Sequence, residues 1–309
     1  MHVALLFHGV LPVKGYGGTE RVVVWLARGL AELGHRVSLI AGRGSKVPEA
    51  TLVPVEPRKA ERADFDVRPF LPAGVDVLHA HRTLAPIEVP TLWTLHGNAK
   101  SGATLAPNLV CLSADHARRH GTEAFVYNGL DPADYRFDPV KRGYDLFLGR
   151  LHGVKGWRLA VDGARRAGRS LVVAGGWRPT LRPGLSFKGE VSGDEKLDLL
   201  AGAACLWMPA QWDEPFGLTL IEALTSGTPV LGTRRGSLPE IVTSGVGALG
   251  DSLDELVELR PRLDAIDPAA CRDRVARHFS HRAMAEAYLR MYRGLIDTGR
   301  LPAGQTVAG

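Results

Sequence analysis

Short apolar runs alternate with amphipathic stretches along this 309-residue chain, and the alternation begins twice. That pattern implies βα units and parallel sheets. In the first half it predicts strands near Val3–Phe7, Val37–Ala41, Leu52–Val55, Val75–Leu78, Leu92–Leu95, Leu109–Leu112 and Phe125–Tyr127. A helix is expected over Thr19–Leu33, and a charged surface loop over Glu56–Phe70. The second series predicts strands at Tyr144–Leu148, Leu171–Ala174, Ser186–Lys188, Cys205–Met208 and Pro229–Gly232. Its helices are expected at Trp157–Arg166, Asp194–Ala201, Leu218–Ser226 and Leu238–Val242, with a last helix over Arg282–Ile296 and a Gly/Pro/Ala-rich end expected to fray. The economical reading is an α/β protein of two doubly wound halves, residues 1–135 and 136–280, joined through the Gly-, Pro- and Asp-rich stretch Asn128–Gly143.

The length suffices for two ordinary domains, and no run approaches the ~18 apolar residues of a membrane span. The N-terminal Met1-His2-Val3-Ala4-Leu5-Leu6-Phe7 lacks a basic flank and reads as a first strand rather than a signal peptide. Cys111, Cys205 and Cys271 have no metal-ligand spacing and suggest a reducing compartment, so a cytoplasmic protein is expected. The net charge of +5 calls for an anionic partner. No Lys/Arg run interleaved with aromatics is present, which argues against nucleic acid. A nucleotide substrate, or peripheral contact with the inner face of an anionic membrane, accounts for the sign equally well.

The most specific local signal is the run Asp213-Glu214-Pro215-Phe216-Gly217-Leu218-Thr219-Leu220-Ile221-Glu222-Ala223-Leu224-Thr225-Ser226-Gly227. Pro215 and Gly217 end a loop, Leu218 opens a helix, and Gly227 with Pro229 stops it. A carboxylate thus precedes a helix N-terminus, whose free N–H groups attract anions, and a second carboxylate follows within the helix. A ligand carrying both phosphate and polyol suits that geometry. The run resembles the glutamate-pair signature of retaining nucleotide-sugar glycosyltransferases of family four (glycosyl transferases group 1). These enzymes have the GT-B fold, two Rossmann-like domains facing a central cleft. The resemblance implies that Glu214 meets donor-sugar hydroxyls, that Glu222 meets the ribose, and that the amides of Phe216, Gly217, Leu218 and Thr219 meet sugar and diphosphate. It also implies that the chain from 281 to 309 crosses back to the first domain.

Other segments fit the same family. Gly149-Arg150-Leu151-His152-Gly153-Val154-Lys155-Gly156 resembles its phosphate site, in which Arg150 and Lys155 hold the diphosphate. Cations there would stabilise charge developing on the leaving group. Gly15-Tyr16-Gly17-Gly18-Thr19-Glu20, following Lys14, resembles the loop that covers the donor, which assigns Gly17 and Gly18 to it. His96, after the strand Leu92–Leu95, resembles the histidine near the reacting sugar carbon. The regions holding Gly175 and Glu190 resemble those approaching the nucleoside. Tyr127-Asn128-Gly129-Leu130-Asp131 resembles the interdomain segment.

Two metal readings are set aside. His79 and His81 share a strand face without further ligands, and Asp64-Phe65-Asp66 lies in a charged loop remote from the phosphate site. No metal or cofactor is expected beyond the substrate, a UDP-, GDP- or ADP-sugar. The implied activity is sugar transfer with retention to an unidentified hydroxyl acceptor, whether glycan, lipid or small metabolite. The first half, which usually binds the acceptor, is short for the family. A nucleotide-sugar 2-epimerase on the same fold and a non-catalytic sugar-nucleotide-binding protein are the alternatives.

Overall fold

The computed structural model describes residues 1–307 apart from Lys14, Tyr16, Ala63, Thr83 and Ser101. The chain divides into two compact units, the first formed by Met1–Leu130 with Ser280–Thr306, the second by Asp131–Phe279.

Unit 1 is built on β1 (His2–Leu6), β2 (Arg36–Gly42), β3 (Thr51–Val55), β4 (Val77–Ala80), β5 (Thr91–Thr94) and β6 (Leu109–Val110), with helices α1 (Gly18–Glu32), α2 (Pro57–Ala60) and α3 (Ala114–Arg119). The strands pair in parallel in the order β3-β2-β1-β4-β5-β6. β1 is buried along its whole length, as a central parallel strand covered on both faces must be. α1 buries Val22, Val23, Trp25, Leu26 and Leu30 as one stripe.

Unit 2 repeats the arrangement. It contains β7 (Tyr144–Leu148), β8 (Ser170–Ala174), β9 (Leu185–Gly189), β10 (Cys205–Met208), β11 (Val230–Thr233) and β12 (Gly247–Gly250). Its helices are α4 (Trp157–Arg166), α5 (Gly193–Gly202), α6 (Leu218–Thr225), α7 (Leu238–Ile241), α8 (Leu253–Leu259) and α9 (Pro268–His278). The parallel order is β12-β11-β10-β7-β8-β9, the same winding as in unit 1. The last helix, α10 (His281–Thr298), starts at the N-cap Ser280 and belongs to unit 1. It packs on α1 at Gly29, where a side chain would collide with the His281 carbonyl.

Several elements depart from the pattern-based expectation. Phe125–Tyr127 forms only a bridge, Cys111 to Phe125, because the chain turns at Gly129 to lie against Ser280. Glu56–Phe70 is not all loop. Pro57 presets the first turn of α2, Arg68–Phe70 forms a 3-10 turn, and Ala60 and Val67 are buried anchors. The tail does not fray at 304, where the Gly304 N–H donates to the Glu123 carbonyl at 2.8 Å. α3, β12, α8 and α9 have no counterpart in the pattern. β12 carries two glycines and owes its form to pairing with β11.

Beneath the second sheet lies a buried ion pair. Asp145 of β7 (fully buried) accepts from Arg260 Nε at 2.8 Å and Nη2 at 2.6 Å, and from Trp207 Nε1 at 2.7 Å. The bidentate geometry and the extra indole donor offset the desolvation of both charges. Asp145→Asn should cost unit 2 about 3 kcal/mol by leaving the buried Arg260 guanidinium with only the half-exposed Asp264 as counter-charge, at 2.8 Å. The check is the urea midpoint, and a loss below ~1 kcal/mol would contradict this account.

Candidate functional site

In both units the strand order reverses beside the first strand, between β7 and β10 in unit 2 and between β1 and β4 in unit 1. Loops leaving the C-terminal ends of such strands diverge there and leave a crevice for ligands.

In unit 2 the expected phosphate residues leave β7. Gly149 donates its N–H to the Ala174 carbonyl at 2.9 Å, Arg150 is exposed, and Gly153–Lys155 forms a 3-10 turn capped by His152. The loop after β10 docks on this turn through Gln211 N–H to the Val154 carbonyl, 2.7 Å. Across the reversal point Lys155 Nζ meets Glu214 Oε2 at 2.6 Å. The same oxygen accepts from Trp212 Nε1 at 2.9 Å, and the ammonium lies 4.7 Å from the Trp212 ring centre. The expectation had Lys155 on phosphate and Glu214 on sugar. In the structure they hold each other.

Glu214 is fixed from behind as well. Its carbonyl accepts from Ser237 N–H at 3.0 Å, and Ser237 Oγ donates to the Phe216 carbonyl at 2.7 Å. Phe216 is buried, whereas Gly217, Leu218 and Thr219 are half-buried. Gly217 caps α6 at φ 82, a left-handed conformation that glycine adopts without strain. The amides of Leu218 and Thr219 have no acceptor within the helix. Glu222 lies one turn in, 3% exposed, with Oε1 accepting from Tyr135 Oη at 2.8 Å and Lys196 Nζ at 2.6 Å. Sequence reasoning missed Tyr135, Lys196 and Trp212. Only the fold brings Lys196 of α5 to α6, and no spacing announces it.

The ends of β7, β8 and β9 also converge. Gly175 and Gly176 donate to the Gly189 carbonyl at 2.6 and 3.2 Å, and a side chain at Gly175 would strike the Gly149 carbonyl. Glu190 follows immediately and is exposed.

In unit 1, Gly17 and Gly18 sit at the start of α1 and the Glu20 carboxylate folds back on Gly17, while Lys14 and Tyr16 of that loop lie outside the described residues. The ends of β4 and β5 gather three histidines. His81 Nδ1 lies 2.8 Å from His96 Nε2. His79 is enclosed, with Nδ1 2.8 Å from Tyr292 Oη and Nε2 2.8 Å from Thr94 Oγ1, which in turn meets Tyr288 Oη at 2.8 Å. Burial holds all three neutral at pH 7. It pushes His96 down to about 4, aided by His116, and His79 and His81 well below the usual imidazole range.

The loop carrying His96 is clamped by α3, which sequence reasoning did not foresee. His116 lies 3.2 Å from the Gly97 carbonyl through Nε2 and accepts from Leu112 N–H through Nδ1 at 3.1 Å. His120 Nε2 accepts from Ala99 N–H at 3.1 Å. These two imidazoles and Cys111 come close enough to offer a cation three ligand atoms, but the ring nitrogens are already engaged with backbone. Asp64 and Asp66 are exposed and each is paired with its own neighbour, Arg62 and Arg68, at 2.8 Å.

The buried histidines set a pH dependence. Burial lowers His116 to about 4, so the unfolded chain binds the extra proton between pH ~6.5 and ~4. The stabilisation is complete above pH ~6.5 and is lost as pH falls toward ~4, up to ~3 kcal/mol for this group. Urea midpoints across that window should fall, and His116→Gln should flatten the slope. A slope identical in both proteins would rule His116 out as a source.

Comparison with known proteins follows the same two halves. The Glycosyltransferase Family 4 model matches residues 16–131, and the Glycosyl transferases group 1 model matches residues 139–259. The crystal structure of AviGT4, a glycosyltransferase involved in avilamycin A biosynthesis, superposes with a TM-score of 0.81 at 30% identity, covering 96% of this chain and 98% of that one. A phosphatidyl-myo-inositol mannosyltransferase of Propionibacterium freudenreichii is 23% identical over 304 residues, 76% of this chain and 78% of that protein. A GDP-mannose-dependent alpha-mannosyltransferase of Corynebacterium glutamicum is 27% identical over 181 residues, 52% of this chain and 42% of that protein.

Proposed function

The chain belongs to the family 4 glycosyltransferases, with the GT-B fold, and we propose that it moves a sugar from a nucleoside diphosphate sugar to a hydroxyl acceptor with retention. The observation that carries this reading is the Lys155–Glu214 pair at the strand-order reversal of unit 2, beside the open N-terminus of α6. A diphosphate brought to Arg150 and Lys155 competes for the ammonium. Lys155 then neutralises phosphate, and Glu214 is released to accept hydrogen bonds from sugar hydroxyls. Glu222, paired with Lys196, accepts from the ribose. Gly149 opens the phosphate turn, and Gly175 and Glu190 line the nucleoside side. In unit 1 the Gly17–Gly18 amides are assigned to the donor phosphate and His96 to the sugar.

The anomeric C–O bond to the diphosphate breaks while the acceptor oxygen bonds the same carbon from the same face. The leaving phosphate oxygen takes the acceptor proton. Two cations and the α6 amides stabilise the departing charge, so no metal is required. Two relatives named for mannose transfer put GDP-mannose first among the UDP-, GDP-, ADP- and dTDP-sugars to be screened by thermal shift. The acceptor is a glycan, a lipid or a small metabolite. A lipid acceptor would bring the positively charged chain to the inner face of a membrane. No helix among the described residues is long and apolar enough to cross one.

Arg150→Ala and Lys155→Ala are each expected to slow nucleoside diphosphate release from the donor identified in that screen by about 100-fold, in buffer containing EDTA. Wild-type rates in both variants would sink the phosphate assignment, and loss of wild-type activity in EDTA would sink metal independence.

The glutamates separate by ligand. Glu222→Gln removes an acceptor for the ribose hydroxyls and should weaken the free diphosphate by about tenfold or more. Glu214→Gln should leave that affinity undiminished, or raise it by freeing Lys155, while lowering turnover, since the free diphosphate has no sugar. Calorimetry on both variants decides, and the reverse pattern exchanges the two roles.

A further inference from the structure

The histidine pair of unit 1 contains one proton position that the geometry fixes. His81 Nδ1 and His96 Nε2 are 2.8 Å apart, a hydrogen bond between two neutral imidazoles. One nitrogen must donate and the other accept. The other nitrogen of His81 decides which. His81 Nε2 is enclosed and has no hydrogen-bond partner among the described residues. If His96 donated, the His81 proton would sit on Nε2, a buried N–H without an acceptor. Buried N–H groups left without a partner are rarer than under-used acceptors. If His81 donates from Nδ1, its bare Nε2 is only an unused lone pair.

The ring of His81 is held for this task from below. It packs on the His79 ring at 4.4 Å between centroids, and His79 is pinned at both nitrogens by Tyr292 and Thr94. The backbone of the His96 loop is clamped separately by His116 and His120.

We propose that His81 is a positioning residue, donating from Nδ1–H to His96 Nε2 and so fixing His96 as the Nδ1–H tautomer with its free edge a hydrogen-bond donor. His96 Nδ1 makes no hydrogen bond among the described residues, and His96 is half-buried. A neutral N–H donor recognises an oxygen that carries lone pairs, such as a sugar hydroxyl or the departing phosphoryl oxygen. It could not serve as the base for an acceptor hydroxyl. This consequence rests on the proposed function, whereas the tautomer does not.

The test is two-bond proton–nitrogen correlation spectroscopy of the full chain labelled with 15N-histidine at pH 7.5, with His96 assigned by the signals lost in His96→Gln. The expected pattern for His96 is a protonated Nδ1 and a bare Nε2. In His81→Phe the proton should redistribute toward Nε2. A protonated Nε2 in the wild-type protein overturns the inference without a variant having to fold, and so does an unchanged His96 pattern in a folded His81→Phe. The kinetic arm uses nucleoside diphosphate release from the donor identified by thermal shift. His81→Phe should lower kcat about tenfold with KM within about threefold, and His81→Asn, whose amide N–H lies near the place of Nδ1, should recover most of it. A shifted tautomer with wild-type kcat would remove His96 from the proposed reaction while the hydrogen-bond assignment stands. A wrong tautomer with a slow His96→Gln would leave the proposed reaction and remove only the role of His81.

Discussion

A parallel sheet sends every loop that follows a strand to the same edge, and the chemistry of this protein depends on that constraint. In unit 2 the order β12-β11-β10-β7-β8-β9 turns the loops after β7 and β10 away from each other. Lys155 comes from one and Glu214 from the other, and they meet at 2.6 Å. Gly149, Gly175 and Glu190 reach the same edge only because β7, β8 and β9 run the same way. An antiparallel neighbour would have sent one of them to the opposite end. The buried Asp145–Arg260 pair in turn anchors β7 from which the phosphate turn leaves.

Charge placement is the second level. Glu214 and Glu222 are 7% and 3% exposed, so each carboxylate is largely desolvated. A buried carboxylate needs hydrogen-bond partners in place of its water. Lys155 with Trp212 supplies them for Glu214, and Lys196 with Tyr135 for Glu222. The two arrangements differ in what a ligand would do to them. Lys155 is the more exposed of the two lysines, 22% against 12%, and belongs to the turn that carries Arg150, so under the proposed function it is the one a phosphate claims. Lys196 belongs to α5 and remains on Glu222. On that reading one carboxylate changes partners and the other keeps them.

The sequence made the winding legible because strand and helix periods are local. Tyr144–Leu148, Cys205–Met208 and Trp157–Arg166 could be delimited to the residue from apolar period and glycine punctuation alone. β12 could not, since Gly247-Ala248-Leu249-Gly250 has no strand propensity of its own and is extended only by pairing with β11. The same division holds at the site. Glu214, Glu222, Arg150 and Lys155 stand in short motifs that can be read directly. Lys196, Tyr135 and Trp212 act through distance in space, and a lysine in a helix reads as solvated charge until the fold brings it to Glu222. His81 was noticed for its alternation with His79, but its partner is in the loop after another strand.

The two units use opposite electrostatics. In unit 2 the carboxylates of the candidate site are held in ion pairs beside the N-terminus of α6. In unit 1 burial keeps His79, His81 and His96 uncharged, so they can act only through the direction of a hydrogen bond. For glycosyl transfer this division is coherent. The leaving diphosphate gains charge as the anomeric bond breaks, and stabilising it needs fixed cations. The sugar ring becomes electron-poor at the same carbon, where a nearby imidazolium would oppose the reaction. A neutral donor locked in one tautomer can orient a sugar oxygen without adding positive charge beside it. On the proposed assignment of His96 to the sugar, the burial that keeps this imidazole neutral is what suits it to that place.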